Sequence, residues 1–315
     1  MPSPGYYYMH TEPIDHPVFS PSQTSDFIRD PAAWYLRSVM KWRPRFIGKK
    51  EVAGILGTAF ADGVAAYHNG LMGPSLDYQL PAEEALIKKS AAVAVQSAQE
   101  AKQRVILMGQ SVYDDQEESW GLLEKRAAEI IFKYALNRPA IISPKSIIGA
   151  EIVLPEHGWC RIDLGIRTEL GPMPLDFKTK VTQDVKYQSM FLQENEASWQ
   201  MLHYTWAFGA YTGETIRRYG IILVVLEPKS RLPLLHPVVV DPELMQIWVQ
   251  SAKQVWRIMD GMKRGVPVTV DPTPWCSFVF RNKFGREDWA DGIQKCFMDE
   301  NLLRTHYVKE IPRDA

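Results

Sequence analysis

The chain is poor in cysteine, and its cysteines are not paired along the sequence. Only three occur in 315 residues, and none forms a CxxC motif. This excludes a disulfide framework and a typical cysteine-bound zinc or iron–sulfur site. Long apolar runs are also missing, because the longest aliphatic run covers residues 221–226 and is too short for a membrane span. The first ten residues contain no apolar signal-peptide core, so we expect a reduced, soluble protein of the cytoplasm, either bacterial or of a phage-infected host.

Several widespread catalytic motifs are absent too. The sequence contains no GxxxxGK[ST], no GxSxG and no HExxH, which argues against P-loop, serine-hydrolase and zinc-protease chemistry and against helicase machinery. Basic and acidic residues are nearly equal in number, with 36 Lys and Arg and 37 Asp and Glu. The overall charge therefore neither favours nor excludes nucleic acid, because a local basic groove is enough to hold a phosphate backbone.

The remaining composition, 46% hydrophobic and 23% charged, is that of a globular protein. Residues 1–20 are predicted to form an extended arm. Helical spacing follows at 57–67, 83–105 and 114–136. Strand patterns occupy 147–154, 159–166, 173–180, 219–226 and 235–240, with helices at 197–211 and 242–262. This order predicts an α/β fold with a mixed central sheet flanked by helices and a helical N-terminal extension.

The densest basic stretch, residues 37–50, contains no acidic residue. Aromatic side chains are interleaved with its six basic ones, which is a pattern that suits phosphate contacts combined with base stacking. A solvated loop remote from any site is the alternative. The candidate DNA-binding residues are Arg37, Lys41, Trp42, Arg43, Arg45, Lys49 and Lys50.

The strands at 159–166 and 173–180 are predicted to pair as a hairpin through a turn at Gly171 and Pro172. Alternation places Cys160, Ile162 and Leu164 on one face of the first strand. The intervening residues of that strand then lie on the other face.

Within this hairpin, Asp163 is expected to lie beside Asp176, with Lys178 one step further along the second strand. Two close carboxylates repel each other, and a Mg²⁺ or Mn²⁺ ion relieves the repulsion. Such an ion activates water, and a nearby ammonium stabilises negative charge that develops during phosphodiester cleavage. The alternative is an exposed cross-strand ion pair without catalytic function.

The order of these motifs resembles the PD-(D/E)XK nuclease superfamily, and within it the RecB/Cas4-like and RecE-like phage exonucleases. Those proteins carry G-R-x-D, then D-x-K-T, then Q-x-x-x-Y on a helix. This chain has CRID at 160–163, DFKT at 176–179, and Gln200 followed four residues later by Tyr204. Residues 22–35 resemble the S-x-S…P-x-x-y opening of the same proteins, and residues 57–59 resemble their G-T-A helix start.

The resemblance implies site residues for this chain. Asp163, Asp176 and the main-chain carbonyl of Phe177 become metal ligands, and Lys178 becomes the catalytic lysine. Gln200 and Tyr204 become a polar pair that bridges the active site and a DNA phosphate; otherwise they are a surface glutamine beside a core tyrosine. Glu151 occupies a position where these families often place an acid, although a surface acid on a strand is the alternative.

Two departures from the family pattern stand out. The metal-binding histidine that relatives carry after G-T-A is replaced here by Ala61. Asp62 and His68 are therefore the substitutes to consider, although His68 is more often an ordinary surface or core histidine. Asp30 stands where Cas4-like proteins have their early cluster cysteine, and only Cys276 and Cys296 come late. No iron–sulfur cluster is expected.

The resemblance thus implies a Mg²⁺- or Mn²⁺-dependent DNA exonuclease of phage or mobile-element recombination and repair. A structure-dependent endonuclease and a non-catalytic DNA-binding protein are the alternatives. DNA is the expected partner, together with a single-strand annealing or recombination protein, and related exonucleases include homo-oligomeric rings. One nuclease domain is predicted over 21–315, with a helical part at 21–140, a catalytic core at 145–265 and an extension at 266–315.

Overall fold

The structure, a computed structural model, describes residues 17–29, 31–72, 80–180, 185–196, 198–225, 233–265 and 307–309. Most of the expected arm and C-terminal extension, with Asp30, Cys276 and Cys296, lies outside these residues. The helices are α1 (Pro21–Arg29), α2 (Pro31–Trp34), α3 (Lys49–Leu71), α4 (Leu80–Leu107), α5 (Glu117–Gly121), α6 (Leu123–Leu136), α7 (Val185–Glu196), α8 (Trp199–Thr212) and α9 (Pro242–Lys263). The strands are β1 (Trp42–Pro44), β2 (Phe46–Ile47), β3 (Ser111–Val112), β4 (Ile147–Leu154), β5 (Cys160–Thr168), β6 (Gly171–Lys180), β7 (Arg218–Val225), β8 (Leu234–Val239) and β9 (Tyr307–Lys309).

The largest sheet has five strands in the order β4-β5-β6-β7-β8. Strands β6 and β7 are parallel, whereas the other neighbours in this sheet are antiparallel. The parallel pair needs a crossover, which α7 and α8 provide. The predicted mixed sheet flanked by helices, with a helical N-terminal region, is confirmed.

Apolar side chains pack against both faces of this sheet. On one face, α3, α4 and α6 cover Leu164, Leu175 and Ile222. On the other, α8 packs against β5 and β7, and Gly165 allows its close approach because a Cβ there would lie 2.6 Å from the Phe208 ring. A third cluster joins α1, α2 and α9 to α8. The sheet centre is therefore held rigidly from both sides.

The side-chain alternation of β4 and β5 is interrupted at one level. Cys160 and Ile162 pack with α8, whereas Leu164 packs with α3 and α6, so these three side chains do not share a face as predicted. Glu151 lies opposite this break, between the register pairs Ala150–Leu164 and Ile152–Ile162, and adopts a left-handed φ of 51°. A non-glycine residue in that conformation costs about 1–2 kcal/mol. The strain is thus located beside Asp163.

Two predicted elements need correction, and one helix was not predicted. The helix expected over 114–136 is broken, because its acidic start forms a 3-10 turn and Leu122 separates α5 from α6. The β5–β6 turn lies at residues 169–170, and Gly171 already pairs with Thr168. Helix α7 was not predicted, since its polar sequence has no clear apolar stripe. No helix in the described ranges is long and apolar enough to cross a membrane.

Candidate active site

Four polar side chains from β6 and α8 form one continuous network. The ammonium of Lys178 donates a hydrogen bond to Oε1 of Gln200 over 2.7 Å. The Nε2 group of Gln200 donates to Asp176 Oδ1 at 3.2 Å and to the Tyr204 hydroxyl at 2.8 Å. Gln200 and Tyr204 are four residues apart and therefore lie on the same face of α8. The helix holds the amide that orients both the acid and the lysine.

Asp163 enters this site from the neighbouring strand. The β5–β6 register ends at Leu164–Leu175, and its continuation sets Asp163 opposite Asp176. The Oδ2 atom of Asp163 accepts a hydrogen bond from the main-chain N–H of Phe177 at 2.8 Å. Burial raises the pKa of Asp163 to about 8, and the charge of Asp176 acts in the same direction. The Phe177 N–H bond and the Lys178 charge oppose this shift, but the two carboxyls together still form a site of excess negative charge.

Asp176 is almost completely buried, with 1% of its surface exposed. Its Oδ2 atom forms an ion pair with Lys178 Nζ at 2.8 Å, and the angles of this contact are poor for a hydrogen bond. Burial raises the pKa of Asp176, while the Lys178 charge opposes that shift. A buried carboxylate oxygen that is paired only with one ammonium, beside a second carboxyl, fits a hard divalent cation.

Four carboxyl groups lie in or near this site, those of Asp163, Asp176, Glu151 and Asp62, but they do not form one cluster around a single metal position. Within the described ranges, no group of three or more His, Cys, Asp or Glu side chains is arranged to hold a metal ion. The residues present therefore offer the carboxylates of Asp163 and Asp176 as metal ligands. The family resemblance adds the main-chain carbonyl of Phe177 as a third ligand. Water completes the shell of such an ion in many proteins.

Glu151 and Asp62 surround the site as further acids. Glu151 forms an ion pair with Arg161, with Oε2 3.0 Å from Nε. Burial raises the pKa of Glu151, the Arg161 charge opposes that shift, and the Asp62 charge on α3 adds to it. Asp62 itself accepts a hydrogen bond from Ser97 at 2.5 Å. Neither Arg161 nor Ser97 was predicted to take part in this site. The position of Arg161 on the strand next to Glu151 could have indicated their ion pair. The contact between Ser97 and Asp62 depends on how two helices pack, which the sequence does not display.

His68 lies in the core. It is fully buried, its Nε2 atom is 3.1 Å from the Tyr134 hydroxyl, and its ring stacks on Phe177 with 5.8 Å between centroids. Burial lowers the pKa of His68 to about 3, so the ring is neutral at neutral pH. These contacts show that His68 packs in the core between α3, α6 and β6, the strand that carries Asp176.

The basic stretch runs from a π-helical turn at Tyr35–Val39 through β1 and β2 into α3. Two of its arginines make internal contacts, because Arg37 pairs with Asp26 at 3.4 Å and Arg43 donates to the Arg37 carbonyl at 2.7 Å. Lys41 and Lys49 are exposed, while Arg45 is half-buried. The side chains of Trp42 and Lys50 lie outside the described part of the structure.

Helix α3 leads from this basic stretch to the active site. A Cβ at Gly57 would lie 3.2 Å from the Thr179 hydroxyl, next to Lys178 on β6. Two helical turns contain about seven residues, so the exposed Lys49 stands roughly two turns before this contact.

Comparison with known proteins gives one match. A family model described as the PD-(D/E)XK nuclease superfamily matches residues 18–278 of the 315. A search of curated proteins found no match. The matched range contains β4 to β8, the α8 network and all four acids described above.

Proposed function

The chain belongs to the PD-(D/E)XK nuclease superfamily, and from that membership we propose that it is a Mg²⁺- or Mn²⁺-dependent DNA exonuclease. The observation that carries the proposal is the network of Asp163, Asp176, Lys178 and Gln200 at the centre of the sheet. Asp163 and Asp176 lie side by side with one ammonium, that of Lys178, next to them. Two carboxylates beside a single cationic side chain leave excess negative charge, which a divalent cation neutralises.

Asp163, Asp176 and the Phe177 carbonyl would hold the divalent cation. When bound, such an ion lowers the pKa of a coordinated water and neutralises charge on a phosphate oxygen. The Phe177 N–H keeps the Asp163 carboxylate pointed towards Asp176, since it occupies Oδ2. Oδ1 of Asp163 and Oδ2 of Asp176 would then hold the cation, the latter beside the Lys178 ammonium.

Lys178 stabilises negative charge on the phosphate or orients the attacking water. Its ammonium has two contacts, to Gln200 Oε1 and Asp176 Oδ2, and an ammonium carries three N–H donors. The third donor can therefore point at the substrate. Gln200 and Tyr204 act as positioning residues because the amide ties Lys178, Asp176 and the hydroxyl together.

Glu151 and Asp62 add negative potential at the rim, and Glu151 is the stronger candidate to contact a metal-bound water because it lies opposite Asp163 on the next strand. The basic stretch compensates this charge for a polyanionic substrate. Lys41, Arg45 and Lys49 are the members best placed to contact phosphates, whereas Arg37 and Arg43 also stabilise the segment itself.

The RecB/Cas4-like and RecE-like motifs favour an exonuclease of phage or mobile-element recombination and repair over other nucleases of the superfamily. A single-strand annealing or recombination protein is the partner that this class of enzyme implies, because its product is single-stranded DNA.

A digestion time course tests the proposal. End-labelled linear DNA and closed circular DNA of the same sequence are incubated with the protein in Mg²⁺, in Mn²⁺ and in EDTA. We expect progressive release of nucleotides from linear DNA only, and only with a divalent ion. Cleavage of the circle would identify an endonuclease instead, and absence of any cleavage with either ion would leave a DNA-binding protein of the same fold.

A further inference from the structure

Trp159 is exposed in a way that folding does not explain. It is the most exposed large aromatic side chain in the described ranges, with 72% of its surface accessible. Its backbone adopts a φ of 54°, a left-handed conformation that favours glycine. Both features work against stability, because the ring gains little burial and the backbone is strained. Of the three described non-glycine residues with positive φ, Glu151 and Trp159 both belong to the β4–β5 hairpin.

The turn that carries Trp159 is nevertheless held firmly. A Cβ on Gly158 would lie 2.6 Å from the backbone of Phe19, so the N-terminal segment packs directly on the turn. The His157 ring contacts Trp206 with 4.6 Å between centroids, and the His157 carbonyl lies 3.0 Å from His203 Nε2. The indole is therefore presented to solvent from a fixed base, which lowers the entropy cost of contacting a ligand.

The position of Trp159 relates it to the active site. Trp159 directly precedes β5, the strand in which Arg161 pairs with Glu151 and which carries Asp163. Asp163 follows Trp159 by four positions, so their Cα atoms lie at most about 13 Å apart. Stacked nucleotides rise about 3.4 Å each, so a DNA strand at Asp163 reaches Trp159 within roughly four nucleotides.

We propose that Trp159 is a stacking platform for an unpaired base of the DNA strand whose phosphate lies at Asp163 and Asp176. The proposal depends on the nuclease function above and extends it to the form of the substrate. An indole stacks on the face of any base, but that face is accessible only when the base is unpaired or terminal. The site is thus adapted to a single-stranded or frayed end.

Binding of two DNA forms tests this role. Fluorescence anisotropy is measured with Mg²⁺ in the Asp176→Asn background, using one linear duplex with single-stranded overhangs and one covalently closed circular duplex, which has no ends. Trp159→Gly is expected to weaken binding of the overhang duplex by roughly 5- to 150-fold, the range for loss of one aromatic–base stack. Trp159→Phe should retain most of the affinity, and the closed duplex should be bound equally by all variants.

Trp159→Gly also separates binding from folding, because glycine relieves the positive φ. Its melting temperature should equal or exceed that of the parent, so weaker binding cannot be attributed to unfolding. Leu136→Ala, which truncates an apolar side chain of similar exposure at the end of α6, serves as the control and should leave both affinities unchanged.

Two results would overturn the stacking role while leaving the nuclease function intact. One is parental affinity of Trp159→Gly for the overhang duplex, and the other is an equal loss on both duplexes. Wild-type digestion of linear DNA, measured in parallel, shows whether the nuclease function itself holds. If the wild-type protein neither cleaves nor binds DNA, the function fails and the stacking role fails with it.

Discussion

Replacement of Asp163 by asparagine tests whether the two carboxyls are crowded in the way the structure indicates. Asparagine keeps the size of the side chain, and its carbonyl oxygen can still accept the Phe177 N–H bond. The substitution removes the negative charge of Asp163, which burial and the neighbouring negative charge of Asp176 both disfavour. In the absence of metal, we expect the variant to be more stable than the wild-type protein at neutral pH, although it lacks a proposed catalytic group.

The magnitude follows from the pKa of Asp163, which is about 8 in the folded chain against an ordinary value of 3.8. The folded state binds this proton more tightly than the unfolded state, so its contribution to stability is full below about pH 4 and is lost as the pH rises to 8. Each unit of difference between the folded and unfolded pKa corresponds to about 1.4 kcal/mol in the free energy of unfolding. The variant should thus gain on the order of a few kcal/mol at pH 7, and little at pH 4.

Urea unfolding in EDTA at pH 4, 5.5, 7 and 8.5 measures this difference. Asp114→Asn, at an exposed position, is the matched control and should change the free energy of unfolding by less than about 0.5 kcal/mol. Added Mg²⁺ should stabilise the wild-type protein more than the Asp163→Asn variant. A variant that is less stable than wild type at pH 8.5 in EDTA, or a gap that does not vary with pH, would refute the reasoning.

Two further predictions concern catalysis and binding. Lys178→Ala should lower the turnover number by about 10²–10³-fold with little change in DNA affinity, because its charge acts mainly on the transition state; equal losses in binding and rate, measured by anisotropy and single-turnover cleavage, would make Lys178 a simple phosphate contact. Replacement of Arg43 and Arg45 together by alanine should weaken DNA binding and lower the slope of log affinity against log salt by roughly 0.7–0.9 per lost contact. Unchanged affinity and slope would place the DNA path elsewhere, and unfolding curves should accompany this measurement because Arg43 also bonds to the Arg37 carbonyl.

Local patterns were enough to predict the strands that position the site. Alternating polarity identified β5 and β6, and a short connection between them implied an antiparallel hairpin that brings Asp163 to Asp176. The i, i+4 spacing of Gln200 and Tyr204 placed both on one helix face, and the structure brings that face to Lys178. These features depend on periods of two and 3.6 residues, which a sequence displays directly.

Other features depend on contacts between distant segments and could not be read in this way. Strand alternation assumes regular backbone, so the left-handed conformation of Glu151 and the change of face between Ile162 and Leu164 were not predicted. The Asp62–Ser97 bond joins two residues that are 35 positions apart, one on α3 and one on α4. The burial of His68 likewise follows from α6 and β6 packing on α3, and spacing along the chain contains no signal for it.

The most direct test of the central claim is the rate of nucleotide release from linear DNA by the wild-type protein and by Asp176→Asn, in the same Mg²⁺ or Mn²⁺ buffer. Circular dichroism and melting curves should be recorded for both proteins to establish that the fold is kept. We predict metal-dependent release by the wild-type protein and no measurable release by the folded variant. Release by the variant at near the wild-type rate would contradict the assignment of this site.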